Sequence, residues 1–303
     1  MNGHPGDIDS AFDGAASALT QGDLLEFIGG LGDASELDPS YGVIITAACD
    51  IEHDKYRGIL TFVPLLTIDE YFIVLGFPAI GTSRVTSAES RLKDLLFELS
   101  NPPSFERLRD MISLKYSPEE IAKRLALEHG ESARLGAQLK LLAATVMANA
   151  TLSKPVSFKD GFEALNGLEA FRDTANSNPS KIPPRERIAR DLEKHLDQLP
   201  GDLFLLTGLR CGEHSECVAY LRQFRSIRRT QVAITPFEEH SSHGNVRARR
   251  VGRLAIAPTQ KLVQQAAAVF TDIGLPSERD DHLRMRMAEL SAGWSNNGEV
   301  EQP

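Results

Sequence analysis

What most limits the folds open to this chain is that the spacing of its apolar residues changes twice. Near both ends they come in short β-branched or aromatic runs bounded by turn residues; across the middle they recur at helical spacing. The clearest extended stretch is Tyr41–Leu66. Its two apolar arms, Val43–Thr46 and Ile59–Val63, flank the polar segment Asp50–Gly58 and predict a hairpin. Before it, Gly22-Asp23 reads as a turn opening a short strand at Leu24. After it, Tyr71–Phe77 reads as a further short strand.

From Ser87 the pattern turns helical, with Leu92, Leu95, Leu96 and Leu99 on one face. Pro102-Pro103 interrupts it, and the run SFERLRDMISLKY restarts a helix. Ser117-Pro118-Glu119-Glu120 is a helix start, with Ser as N-cap, Pro in the first position and Glu in the third. Further helices are expected at about 132–150, 158–173 and 185–199. Pro200-Gly201 ends this block, and strands return at Asp202–Leu206, Val218–Ile227, Gln231–Ile234 and Arg250–Ile256. The loop TPFEEHSSHGN separates the last two. A helix opened by Pro258-Thr259 runs to Ile273, a last one is expected over Asp281–Leu290, and the end after Trp294 reads as disordered.

Neither strand group alone has enough strands to bury its faces, so the two are expected to share one small barrel or curled sheet. The fold class is α+β. Residues 1–19 form a flexible lead, 20–86 and 200–293 a discontinuous β domain, 87–199 an all-helical insertion, and 294–303 a disordered tail.

The net charge of −9 argues against a broad nucleic-acid surface, but the charge is unevenly placed. Residues 1–60 carry eleven Asp or Glu against Lys55 and Arg57, whereas residues 210–253 carry nine Arg against four Glu. The two segments lie against each other or face water, or the second forms a local cationic patch. Three cysteines are too few for a disulfide scaffold, no apolar run reaches membrane-span length, and the acidic N-terminus lacks the features of a signal peptide. A cytoplasmic protein with no membrane partner is the default.

Several groups of residues could carry chemistry. Cys49, Asp50 and His53 end the first hairpin arm; a thiol beside a base, or an Asp with a His, suits nucleophilic or acid–base work. A buried Cys and a turn-capping Asp is the plainer reading. Cys211-x2-His214-x2-Cys217 has half of a zinc-site spacing, and it also suits a solvated hairpin turn; no metal or cofactor is assigned. Arg222, Arg225, Arg228 and Arg229, with Arg247, Arg249, Arg250 and Arg253, could converge in part on RNA phosphates on a curled sheet, with Tyr220 or Phe224 near a base, or form a solvated strand face paired with nearby Glu or the acidic N-terminal segment. SPEEIAKRLALEHG lacks a basic recognition helix after it and reads as a packing helix.

The order of pieces resembles the MazF/PemK family of small SH3-like barrels, bacterial endoribonuclease toxins. The resemblance rests on the Gly22-Asp23 turn, the strand GVIIT, the strand ending VPLL, and later LRQFRSI and RVGRL before a helix ending DIGLP. It covers about residues 20–77 and 202–275 and implies an SH3-like barrel interrupted by the helical insertion, with the C-terminal helix packed on it. The family's arginine before the first of these strands is replaced by Ser40-Tyr41-Gly42. Its threonine after the proline is displaced by one residue, to Thr67, which turns it to the other face. The implied function is binding of RNA or of a partner protein, an antitoxin or defence-system component, with a homodimer as a further assembly. If the chain is an enzyme, it is a metal-independent endoribonuclease using Cys49, Asp50 and His53, with Arg222 and Arg225 as phosphate clamps. The alternative is a non-enzymatic module that docks a partner through its helical insertion.

Overall fold

The structure, a computed structural model, describes residues 18–29, 38–99, 104, 107–108, 110–111, 116–124, 129–175, 180–211, 214–241 and 245–272. It is an α+β protein in which strands from both ends of the chain share one sheet. The strands are β1 (Asp23–Phe27), β2 (Tyr41–Ile44), β3 (Ile59–Thr67), β4 (Leu203–Cys211), β5 (His214–Tyr220), β6 (Arg225–Arg228), β7 (Val232–Ala233) and β8 (Ala248–Arg253). They run β4-β5-β3-β2-β1-β8-β7 across the sheet, with β6 also pairing β3. All pairings are antiparallel except β7 with β8. The sheet is open, and the chain passes from β6 to β7 through a 3-10 turn, Arg229–Gln231.

Both faces of the sheet are covered, which follows from side-chain alternation along apolar strands. Leu24, Val43, Val63 and Leu65 point into one core with Leu262 and Ala266 of the C-terminal helix (Ile256–Asp272). Leu25, Phe27, Ile44 and Phe62 point into another with Ile227 and Val232. Gly42 lies under Phe62 and Phe27, where an added Cβ would come within 2.8 Å of the Phe62 ring.

The helices in chain order are α1 (Ala48–Glu52), α2 (Ile68–Tyr71), α3 (Phe77–Glu98), α4 (Pro118–Arg124), α5 (His129–Leu152), α6 (Phe158–Ala175), α7 (Pro184–Asp197), α8 (Pro236–Ser241) and α9, the C-terminal helix already given. At α4 the Ser117 cap is formed as read: Glu120 N–H donates to Ser117 Oγ (3.2 Å), and Ser117 N–H to Glu120 Oε2 (2.8 Å). Ala88, Leu92, Leu95 and Leu96 join Leu135, Leu139 and Leu142 in a core belonging to the helices alone.

Four expectations are corrected. Tyr71–Phe77 is helical, not a strand. The reason lies just before it, where Thr67 and Glu70 form a reciprocal capping box that starts a helix directly at the end of β3. A π-helical turn, Phe72–Gly76, then joins α2 to α3. It falls where Pro78 supplies no N–H and its ring crowds the preceding turn, a common cause of such a widening. The helical segment therefore begins at Ile68 and not near Ser87. Second, β2 ends at Ile44, with Ile45 and Thr46 N–H still donating to the Thr61 carbonyl (2.9 and 3.3 Å), and the chain then turns into α1, so Cys49 and Asp50 sit on that helix instead of ending a strand. Third, Val218–Ile227 is two strands. It breaks at Leu221–Phe224, opposite Val63–Pro64, where Pro64 has no N–H to offer a ladder. Fourth, the loop after Ile234 contains the short helix α8. The readings for 1–17, 281–290 and 294–303 lie outside the described residues. Among the described residues no helix is long and apolar enough to cross a membrane.

Candidate nucleic-acid interface

The break between β5 and β6 builds the most suggestive surface feature. When the chain rejoins β3 at Arg225, opposite Phe62, and turns at Arg229–Gln231 into β7, it leaves a groove of about 370 Å³. Phe62, Phe224, Arg225, Ser226, Ile227, Gln231 and Arg247 line it. Arg247 reaches the groove because its backbone is fixed on two sides: its N–H donates to the Gln231 carbonyl (2.9 Å), and its carbonyl accepts from Ile28 N–H (2.8 Å). The Arg225 Nη2 donates to Gln223 Oε1 (3.3 Å). Phe224 is 40% exposed and tilts against Phe270 of α9, ring centroids 4.4 Å apart, so one face is supported and the rest meets water. The groove thus gathers guanidinium, amide and hydroxyl donors beside an exposed aromatic ring.

Of the residues expected to bind RNA, Arg225 lines this groove; Arg222, Arg228 and Tyr220 do not. Arg222 lies in the turn after β5 and pairs with Asp202 at 2.6 Å. Tyr220 is half-buried at the end of β5, against the core that holds Leu203 and Val218. Arg228 is exposed opposite Ile59, and its N–H donates to Gln231 Oε1 (3.2 Å). Arg247 and Phe224 were legible as part of a basic, aromatic series. Phe62 and Gln231 were not, because cross-strand pairing and the 3-10 turn bring them in.

Arg249, Arg250 and Arg253 answer to the acidic first strand. Asp23 is fully buried and accepts from Arg253 Nε (2.6 Å), with Arg250 Nη1 at 3.7 Å. Glu26 accepts from Arg249 Nε (2.7 Å), which holds that guanidinium's pKa above its usual value. The antiparallel β1–β8 register sets Asp23 opposite Arg253 and Glu26 opposite Arg249. The acidic and basic segments therefore lie against each other here, and the cationic character of the groove comes from Arg225 and Arg247.

Cys49, Asp50 and His53 are together on or just after α1, and none lines the groove. Cys49 is exposed, with Sγ 3.8 Å from Asp50 Oδ1; His53 caps the helix through its backbone N–H to the Cys49 carbonyl (3.1 Å). Cys211 and His214 are register partners of β4 and β5, while Cys217 is buried among Leu24, Val43 and Leu65. Among the described residues no group of three or more His, Cys, Asp or Glu side chains could hold a metal ion. Comparison with protein-family models, with curated proteins and with solved structures finds no match to this chain.

Proposed function

We propose that the chain binds single-stranded RNA in the groove beside β6. The observation that carries this reading is the convergence of Arg225 and Arg247 with the exposed ring of Phe224 and the amide of Gln231. Guanidiniums neutralise phosphates, an exposed aromatic face stacks on an unpaired base, and an amide offers both donor and acceptor to a base edge. An SH3-like arrangement is supported by the strand path β1-β2-β3-β6, the 3-10 turn, then β8 returning beside β1. The reading is binding without cleavage. Attack by a ribose 2′-hydroxyl needs a general base and acid within reach, and the candidate groups Cys49, Asp50 and His53 stand on or just after α1, outside the lining. Docking of a partner protein through the helices is the second reading, favoured by Phe97 at 85% and Met147 at 74% exposure on α3 and α5.

Fluorescence anisotropy with a labelled single-stranded RNA tests the proposal. Affinity is expected to fall with added salt, and Phe224→Ala to weaken binding about tenfold or more, in line with ~1–3 kcal/mol per stacked base. Arg225→Ala should lower both the affinity and the salt slope. Unchanged binding in both variants overturns the groove assignment. RNA cleavage that disappears in Asp50→Ala would restore the nuclease reading.

A further inference from the structure

We propose a second anion site, distinct from the groove: a pocket among the helices that accepts the phosphoryl group of a phosphate monoester. Three helices each present one face to it. Arg84, Ser87, Ala88 and Arg91 come from α3, Leu141 and Thr145 from α5, and Leu168 and Arg172 from α6. These spacings of three, four and seven are those that stack side chains along one helix face. The volume is about 140 Å³. With about 30 Å³ per water in the liquid, that is room for a phosphate and a short attached chain.

The charge on the walls is one-sided. Three guanidiniums line the pocket, and among the described residues no carboxylate does. Glu169, whose side chain is 9% exposed, lies behind the wall and holds the cations in place: Oε1 accepts from Arg84 Nη1 and from Arg172 Nη1 (2.8 Å). Arg187 also reaches Glu169 Oε2 (3.3 Å) and pairs with Asp173 (2.9 Å), and Arg84 reaches Asp191 (3.2 Å). Arg84, Arg172 and Arg187 are thereby balanced by Glu169, Asp173 and Asp191. Among the described residues Arg91 has no carboxylate within ion-pair distance, so it adds a cation that this network does not neutralise.

The donors suit phosphate better than a spherical anion. A guanidinium presents a planar fork that matches two phosphate oxygens; Arg91 offers its fork, while Arg84 and Arg172, held by Glu169 and Asp191, add charge and the N–H groups those bonds leave over. Thr145 commits its hydroxyl hydrogen to the Leu141 carbonyl (2.7 Å), which leaves the Ser87 hydroxyl and the arginines as donors. Ala88, Leu141 and Leu168 supply apolar wall for the carbon side of an ester.

The test is calorimetric titration of glycerol phosphate and of inorganic phosphate into the full chain, in chloride buffer at constant ionic strength. Saturable binding is expected for both, the ester binding at least as tightly. Arg91→Ala, an exposed position outside the ion-pair network, should weaken it about tenfold, the value of one charge-assisted contact. Ser87→Ala should give a smaller loss, and Lys154→Ala, an exposed cation that lines neither the pocket nor the groove, none. The assignment is overturned by an Arg91→Ala affinity equal to wild type, by a Lys154→Ala loss as large as that of Arg91→Ala, or by no saturable heat at millimolar ligand.

Discussion

Replacing Asp23 with Asn takes one negative charge out of the seam between β1 and β8 and leaves the shape nearly unchanged. Asp23 is fully buried; it accepts from Thr20 N–H (2.8 Å) and Arg253 Nε (2.6 Å) and stands 3.7 Å from Arg250 Nη1. The Arg250 side chain is 2% exposed, so its charge is out of reach of bulk water. Burial lowers its pKa; Asp23 favours its charge, while Arg253 and Arg229 oppose it. Removing one partner of a buried pair costs about 3–5 kcal/mol, because the remaining charge loses the carboxylate it was buried with. The lower end, about 3 kcal/mol, is expected here, since the Arg253 side chain is 31% exposed and can turn to water, and the amide oxygen still accepts one bond. Urea unfolding followed by circular dichroism reads the change directly. The double variant Asp23→Asn, Arg250→Met supplies the control: with both charges gone, well-packed apolar replacement should recover much of the loss. A single-variant loss below about 1 kcal/mol would refute the argument, as would a double variant no more stable than Asp23→Asn, since the stranded charge would then not be the cause.

Thr67→Ala removes the cap that turns β3 into α2 and should cost about 1 kcal/mol in the same assay, with little change in the far-UV spectrum; no measurable change would assign the start of that helix to other forces. His195 gives a pH dependence. Burial lowers its pKa, and its Nε2 lies 2.9 Å from the Tyr71 hydroxyl, whose own pKa burial, and then Asp202, push up to about 12. The unfolded chain takes up the His proton more readily than the folded one, so this contribution is fully present above about pH 6.5 and is lost as pH falls through the depressed value. Unfolding free energies at pH 8 and pH 5 should therefore differ less in His195→Gln than in the wild type; an equal difference would remove His195 from the account.

What the residues alone determined is what depends on neighbours a few positions away. The Ser117 cap, the leucine faces of the helices, the strand opening at Leu24 and the hairpin arm at Val43 were all legible, because a turn of helix or a pleat of strand is set by local spacing. The Tyr71–Phe77 error was also local: an apolar run has no period of its own to tell strand from helix, and the capping box at Thr67–Glu70 was the signal that could have decided it. Arg225 was legible as a candidate because a basic series beside aromatic residues is a pattern in the string. Which arginines pair with the first strand was not. Asp23 meets Arg253, and Glu26 meets Arg249, across 230 and 223 positions of chain, through a register that exists only once β1 and β8 pair. The same holds for the groove and for the helical pocket. Their walls come from segments whose proximity is fixed by burying both faces of a sheet and one face of each helix, and that long-range packing leaves no local spacing from which a sequence can be read.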